Sequence, residues 1–76
     1  MANKTQNTLF NFIIFNSNID DIQSRFISYK LELEQVKNIT VIEQKNRHNY
    51  IFKTDNGFFK VKTVGVPLPI STVTKK

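Results

Sequence analysis

Few residues in this chain could do acid–base, nucleophilic or metal chemistry. There is one histidine, His48, and no cysteine in 76 residues. A thiolate dyad therefore lacks its nucleophile, and a zinc site lacks a Cys–His set to build on. His48 stands between Arg47 and Asn49 in a polar stretch, as a solvated loop residue would. The carboxylates are Asp20, Asp21, Glu32, Glu34, Glu43 and Asp55. Two open an expected helix, two sit on its solvent side and Asp55 belongs to an expected turn, so no pair is placed for general acid–base work. Two glycines, Gly57 and Gly65, are too few for a phosphate-cradling loop. The sequence predicts a non-enzymatic protein with no metal and no cofactor.

The informative residues are basic and aromatic. In "FKTDNGFFKVK", residues 52–62, an Asn-Gly pair separates two runs that mix phenylalanine with Lys53, Lys60 and Lys62. The wider "TDNGFFKVKT" is similar in outline to the hairpin of PD-(D/E)XK nucleases, where an acidic residue precedes an acidic-x-Lys strand. Lys60 stands where the second acid would be, and two carboxylates are needed to hold the metal. The outline therefore implies no nuclease activity. A second basic cluster is Lys45, Arg47 and His48, with Lys75 and Lys76 at the end of the chain.

The formal charge is +5, with a pI near 9.8. That balance favours polyanions or acidic protein surfaces as partners. A chain this short buries only about 60% of its unfolded surface, so apolar packing must be efficient, and seven phenylalanines supply its bulk. The apolar run from Leu9 to Phe15 is short and contains Asn11. It fits neither a signal peptide nor a membrane span, and a cytoplasmic protein without membrane contact is expected.

Those residues must be positioned by a small set of elements. Thr8–Phe15 reads as a strand apolar on both faces, bounded by Asn16-Ser17-Asn18. Ser17 or Asn18 offers a helix cap, with Asp20 or Asp21 in the reciprocal place. The helix is expected to reach Lys37, with Asn38 as its left-handed terminator. Ile19, Ile22, Phe26, Tyr29, Leu33 and Val36 form its apolar stripe, expected to lie on a sheet; as a coiled-coil seam it is short. Strands follow at 39–44, 49–54 and 58–66. Pro67 and Pro69 lack an amide donor, so 66–70 reads as extended and 71–76 as a loose tail.

A two-residue type I′ turn at Asn56-Gly57 would set Thr54 opposite Phe59, Lys53 opposite Lys60 and Phe52 opposite Val61. Alternation then sends Tyr50, Phe52, Thr54, Phe59, Val61 and Thr63 to the core face. Ile51, Lys53, Asp55, Phe58, Lys60 and Lys62 take the other, where the facing Lys53 and Lys60 repel unless an anion relieves them. The expected fold is α+β: one domain over 1–76, ordered from about 8 to 66 with an extended or flexible tail over 67–76. Its order is strand-helix-strand-strand-strand, with one helix on one face of a mixed sheet.

The expected function is binding, most directly to nucleic acid, DNA or RNA, through the lysine and aromatic sheet face. The candidate contacts are Ile51, Lys53, Phe58, Lys60 and Lys62, with Lys45 and Arg47 nearby. The alternative is a protein-interaction module that docks on an acidic protein surface. Heavy use of Asn, Lys, Ile and Phe, residues with AT-rich codons, suits an accessory protein of a phage or mobile element that modulates a host protein. A homodimer is compatible with either reading, although the sheet-face lysines oppose close packing there.

Overall fold

Residues 8–64 and 70–75 are described by the computed structural model. Two helices, α1 (Thr8–Asn16) and α2 (Asp21–Leu33), precede four strands: β1 (Ile39–Gln44), β2 (Asn49–Thr54), β3 (Gly57–Val64) and β4 (Ile70–Lys75). The strands form one antiparallel sheet in the order β1-β2-β3-β4. Helix α1 packs on α2 and β1, and α2 packs on β4, so the helices share one sheet face. The fold is α+β. Among the described residues no helix is long and apolar enough to cross a membrane.

Thr8–Asn16 is a helix, not the expected strand, and this removes the parallel crossover and the mixed sheet. A run apolar at almost every position satisfies period two and period 3.6 alike, so packing decides. The structure selects the helical arc: Leu9 and Ile13 are buried, with Phe12 against the same core. Asn16 Nδ2 donates to Phe12 O, and Ser17 Oγ donates to Ile13 O. Ser17 therefore closes α1 rather than capping α2.

The cap of α2 is Asp20. Its Oδ1 accepts from Gln23 N at 2.9 Å, and Gln23 Nε2 returns to Oδ2 at 3.3 Å. The cap thus falls at Asp20, later than expected, and Gln23 donates to its carboxylate twice, through N and Nε2, with no reciprocal bond to the Asp20 amide. The far end also comes early. Gln35, at φ +67°, is the left-handed residue, not Asn38. Val36 N donates to Leu31 O and Gln35 N to Glu32 O, the paired bonds of a Schellman terminus. The buried Val36 and Leu31 supply its apolar contact.

Between those ends the helix is turned away from its expected phase. Ile19 and Val36 are buried as flanks, but the helical part of the stripe faces out. Ile22 is 67% exposed, Phe26 45%, Tyr29 57% and Leu33 64%. The buried arc is Gln23, Ser24, Ile27, Ser28 and Leu31. Its small serines let neighbouring elements approach, and their hydroxyls return to the backbone, Ser24 Oγ to Ile19 O and Ser28 Oγ to Arg25 O. Burying them leaves no polar group unsatisfied. Gln23 Oε1 also accepts from Ser71 Oγ at 2.9 Å, a buried bond that clasps α2 to β4.

Ile70–Lys75 is strand, which agrees with the extended reading at Ile70 and replaces the loose tail expected from Ser71. It pairs with β3 from Val64↔Ile70 to Phe59↔Lys75. Its alternation decides the matter: Ser71 is buried and Val73 packs on the core, while Thr72 and Thr74 face out. The extended reading of 66–69 lies outside the described residues.

Two outcomes follow from these ends and this burial. Gln35→Gly removes the left-handed penalty of a side chain at an exposed position. It should raise urea-unfolding stability by about 0.5–1 kcal/mol, after allowing for glycine's greater unfolded freedom. Burial also raises the Tyr50 phenol above its ordinary value of 10.0. The folded state therefore holds that proton more tightly than the unfolded chain. The stability this represents is complete below pH 10 and is lost as pH rises through the folded value. Denaturant midpoints between pH 9 and 12 should fall faster for the parent than for Tyr50→Phe.

A candidate nucleic-acid interface on the open sheet face

The hairpin that carries the lysines is built from a different turn than expected. Among the described residues only Gln35 and Gly57 have positive φ, so Asn56 cannot serve in a type I′ turn. Asp55 and Asn56 are instead the central residues, and Gly57 follows at φ +106° as in a type I turn with a G1 bulge. Thr54 selects this form: its Oγ1 accepts from Asn56 N at 3.0 Å and donates to Gly57 O at 2.7 Å. The tip is then tied down. Asp55 Oδ1 accepts from Lys37 N and Asn38 N, and Asn56 Nδ2 donates to Glu34 O just beyond α2.

The resulting register pairs Thr54 with Gly57, Lys53 with Phe58, Phe52 with Phe59 and Ile51 with Lys60. Each residue meets a partner two positions from the expected one. An even slip leaves every side chain on its own face. Tyr50, Phe52, Phe59, Val61 and Thr63 are buried under the helices, as expected. The slip does abolish the predicted Lys53–Lys60 opposition. Lys53 Nζ instead lies 5.8 Å from the centroid of the Phe58 ring, which attracts it.

The opposite face is uncovered among the described residues, and its side chains fall into rows across the strands. Val41, Lys53 and Phe58 make one row; Glu43, Ile51, Lys60 and Thr74 the next; Asn49, Lys62 and Thr72 the third. Lys53, Lys60 and Lys62 thus stand in successive rows, about 7 Å apart along the strands. Phe58 is 50% exposed among them. Ile51 lies on this face but is only 9% exposed, so it offers packing rather than contact area. The one carboxylate in these rows, Glu43, is met by Lys45 Nζ at 3.4 Å. That exposed pair contributes about 0–1 kcal/mol to stability, yet it offsets the negative charge locally.

Lys45 and Arg47 belong to the β1–β2 loop, held by Asn46 Oδ1, which accepts from His48 N and Asn49 N. Asn49 pairs with Lys62, and Thr63 N donates to His48 O. The basic loop therefore continues the lysine rows at one end of the sheet. Lys75 does not join it. It pairs with Phe59, with its Cε 3.3 Å from where a Gly57 side chain would begin, at the opposite end. Lys76 lies outside the described residues. No group of three His, Asp or Glu residues among those described is placed to hold a metal. What the sequence did not reveal is the exposed stripe of α2, because the hydrophobic arc alone does not say which way a helix is rolled.

Comparison with known proteins finds no matching family, no matching curated protein and no matching solved structure.

The turn and the rows carry stability outcomes of their own. Asp55→Ala leaves the Lys37 and Asn38 amides without their carboxylate and should lower unfolding free energy by about 1 kcal/mol. Lys60→Gln, on an open row, should stay within about 0.5 kcal/mol of the parent.

Proposed function

We propose that this chain is a non-enzymatic nucleic-acid-binding protein that receives a single strand on its open sheet face. The observation that carries the reading is the Lys53–Phe58 pair, beside Lys60 and Lys62 on a face that no helix covers among the described residues. Lysines in successive rows can follow a phosphate backbone, while Phe58 offers a ring on which one unpaired base stacks. Stacking requires a base free of its duplex, which favours single strands over double helices. Lys45 and Arg47 extend the positive track at the Lys62 end. A base ring would replace solvent over the exposed part of Phe58 without displacing the core beneath.

A second reading, docking on an acidic protein surface, draws on the same lysines. The exposed apolar stripe of α2 favours some protein contact as well. A pull-down from nuclease-treated lysate separates the readings, because a stoichiometric protein retained at high salt belongs to the second alone.

Fluorescence anisotropy with mixed-sequence single-stranded DNA and RNA gives the direct measurement. Phosphate contacts by Lys53, Lys60 and Lys62 alone predict a log–log salt slope of about −2, so affinity should fall at least about 20-fold between 50 and 200 mM salt, and more steeply if Lys45 and Arg47 also engage. Lys60→Gln with Lys62→Gln should flatten that slope by about 1.4. Phe58→Ala should weaken binding at least about fivefold and leave the slope unchanged. No binding of either strand at 50 mM salt would end this proposal.

A further inference from the structure

We infer that α2 is a self-association helix: two copies of this chain pack their Ile22–Phe26–Tyr29–Leu33 stripes together, antiparallel, about a two-fold axis. The stripe faces away from the core along the 13-residue helix. Its spacing of four, three and four is that of alternating coiled-coil seam positions. The pattern reads the same in both directions, so reversing the helix lays the stripe on itself. Phe26 then meets the second copy's Tyr29, and Ile22 meets its Leu33. A shallow depression of about 360 Å³, lined by Ile22, Gln23, Arg25, Phe26, Tyr29 and Ser71, is open to receive a side chain from the other copy.

Charge is what selects a second copy as the occupant. Arg25 and Glu32 are seven residues apart and flank the stripe on one side, the side of α1: the Arg25 guanidinium lies 4.9 Å from the Phe10 ring, and Glu32 borders Thr8 and Leu9. In an antiparallel pair these flanks face each other, bringing Arg25 of each copy beside the other's Glu32. Both ion pairs arise together by symmetry, as an isologous interface requires. On the other flank Lys30 Nζ sits 5.1 Å from the Phe26 ring of its own chain.

Area and net charge are compatible with this. At about 200 Å² for a fully exposed side chain of this size, the four stripe residues leave on the order of 450–500 Å² per copy. Two copies would bury roughly 1,000 Å², the lower bound for a specific interface. The dimer has its helices inside and its sheets outside. At roughly 10 Å per layer the two lysine faces stand about 30 Å apart, beyond the screening length at physiological salt. The charge of +5 on each chain therefore does not oppose association through α2.

Sedimentation equilibrium from 1 to 500 µM tests this on the full chain. The parent should show a reversible monomer–dimer equilibrium with a dissociation constant in the micromolar range. Phe26→Glu combined with Leu33→Glu alters only exposed positions and should be monomeric at 500 µM with an unchanged circular dichroism spectrum. Arg25→Glu alone and Glu32→Arg alone should each weaken association about fivefold or more, through two repulsive pairs. An equimolar mixture of those two variants should associate as tightly as the parent, because each supplies the charge the other lacks. A single-chain mass for the parent throughout would overturn the inference. So would a dimer that survives the two glutamates, or a mixture no tighter than its components. Strand binding by the sheet face is measured separately, so failure here leaves that reading standing.

Discussion

Phe52 and Phe59 meet across β2 and β3 with neither ring reaching solvent, and the two sheet faces follow from that pair. Burying each ring contributes about 1.5–3 kcal/mol by removing apolar surface from water. Its larger effect is geometric. Side chains alternate along a strand, so once these rings point inward the neighbouring lysines must point outward. An odd slip of the hairpin would bury ammonium groups and expose both rings, a change that no surface pairing could offset. The positive face is thus a by-product of core packing as well as a candidate surface for recognition.

The helices are arranged around the same constraint. Ile27 and Leu31 of α2 and Leu9 and Ile13 of α1 complete the core over Phe52 and Phe59. Covering one sheet face with two helices uses the small arc of α2, with Ser24 and Ser28 inside, and leaves larger apolar side chains in water. Such an arrangement leaves an exposed apolar stripe of the size that often marks a contact site. The two uncovered regions differ in chemistry: one is basic with a single ring, the other apolar with flanking opposite charges. They face in opposite directions, so occupation of one does not obstruct the other.

Much of the hairpin was legible because strict alternation and a turn signal agree over residues 49–63. Even the mistaken turn type did no harm to the faces, since Thr54 moved the register by an even number. The helices were harder to read, for two separate reasons. Leu9 to Phe15 is apolar at nearly every position and carries no period at all. In α2 two arcs compete, and the more hydrophobic one, Ile22 to Leu33, lost to the one whose serines allow close approach. The capping signal was misplaced because Ser17 and Asn18, the expected caps, stand within three residues of Asp20, a residue type that caps equally well. Of the candidate site, Lys53, Phe58, Lys60 and Lys62 share a face as alternation requires. That Lys45 and Arg47 continue the rows at one end depends on strand pairing across the loop.

The meander order of the sheet, set against the Gln23–Ser71 clasp, also has a kinetic meaning. Neighbouring strands are consecutive in the chain, so most pairing is local and closes short loops, a topology associated with rapid folding. The clasp spans 48 residues and can form only when the last strand has arrived. Folding should therefore nucleate in the central hairpin and finish where β4 docks on α2, giving Ser71→Ala its main effect on the unfolding rate.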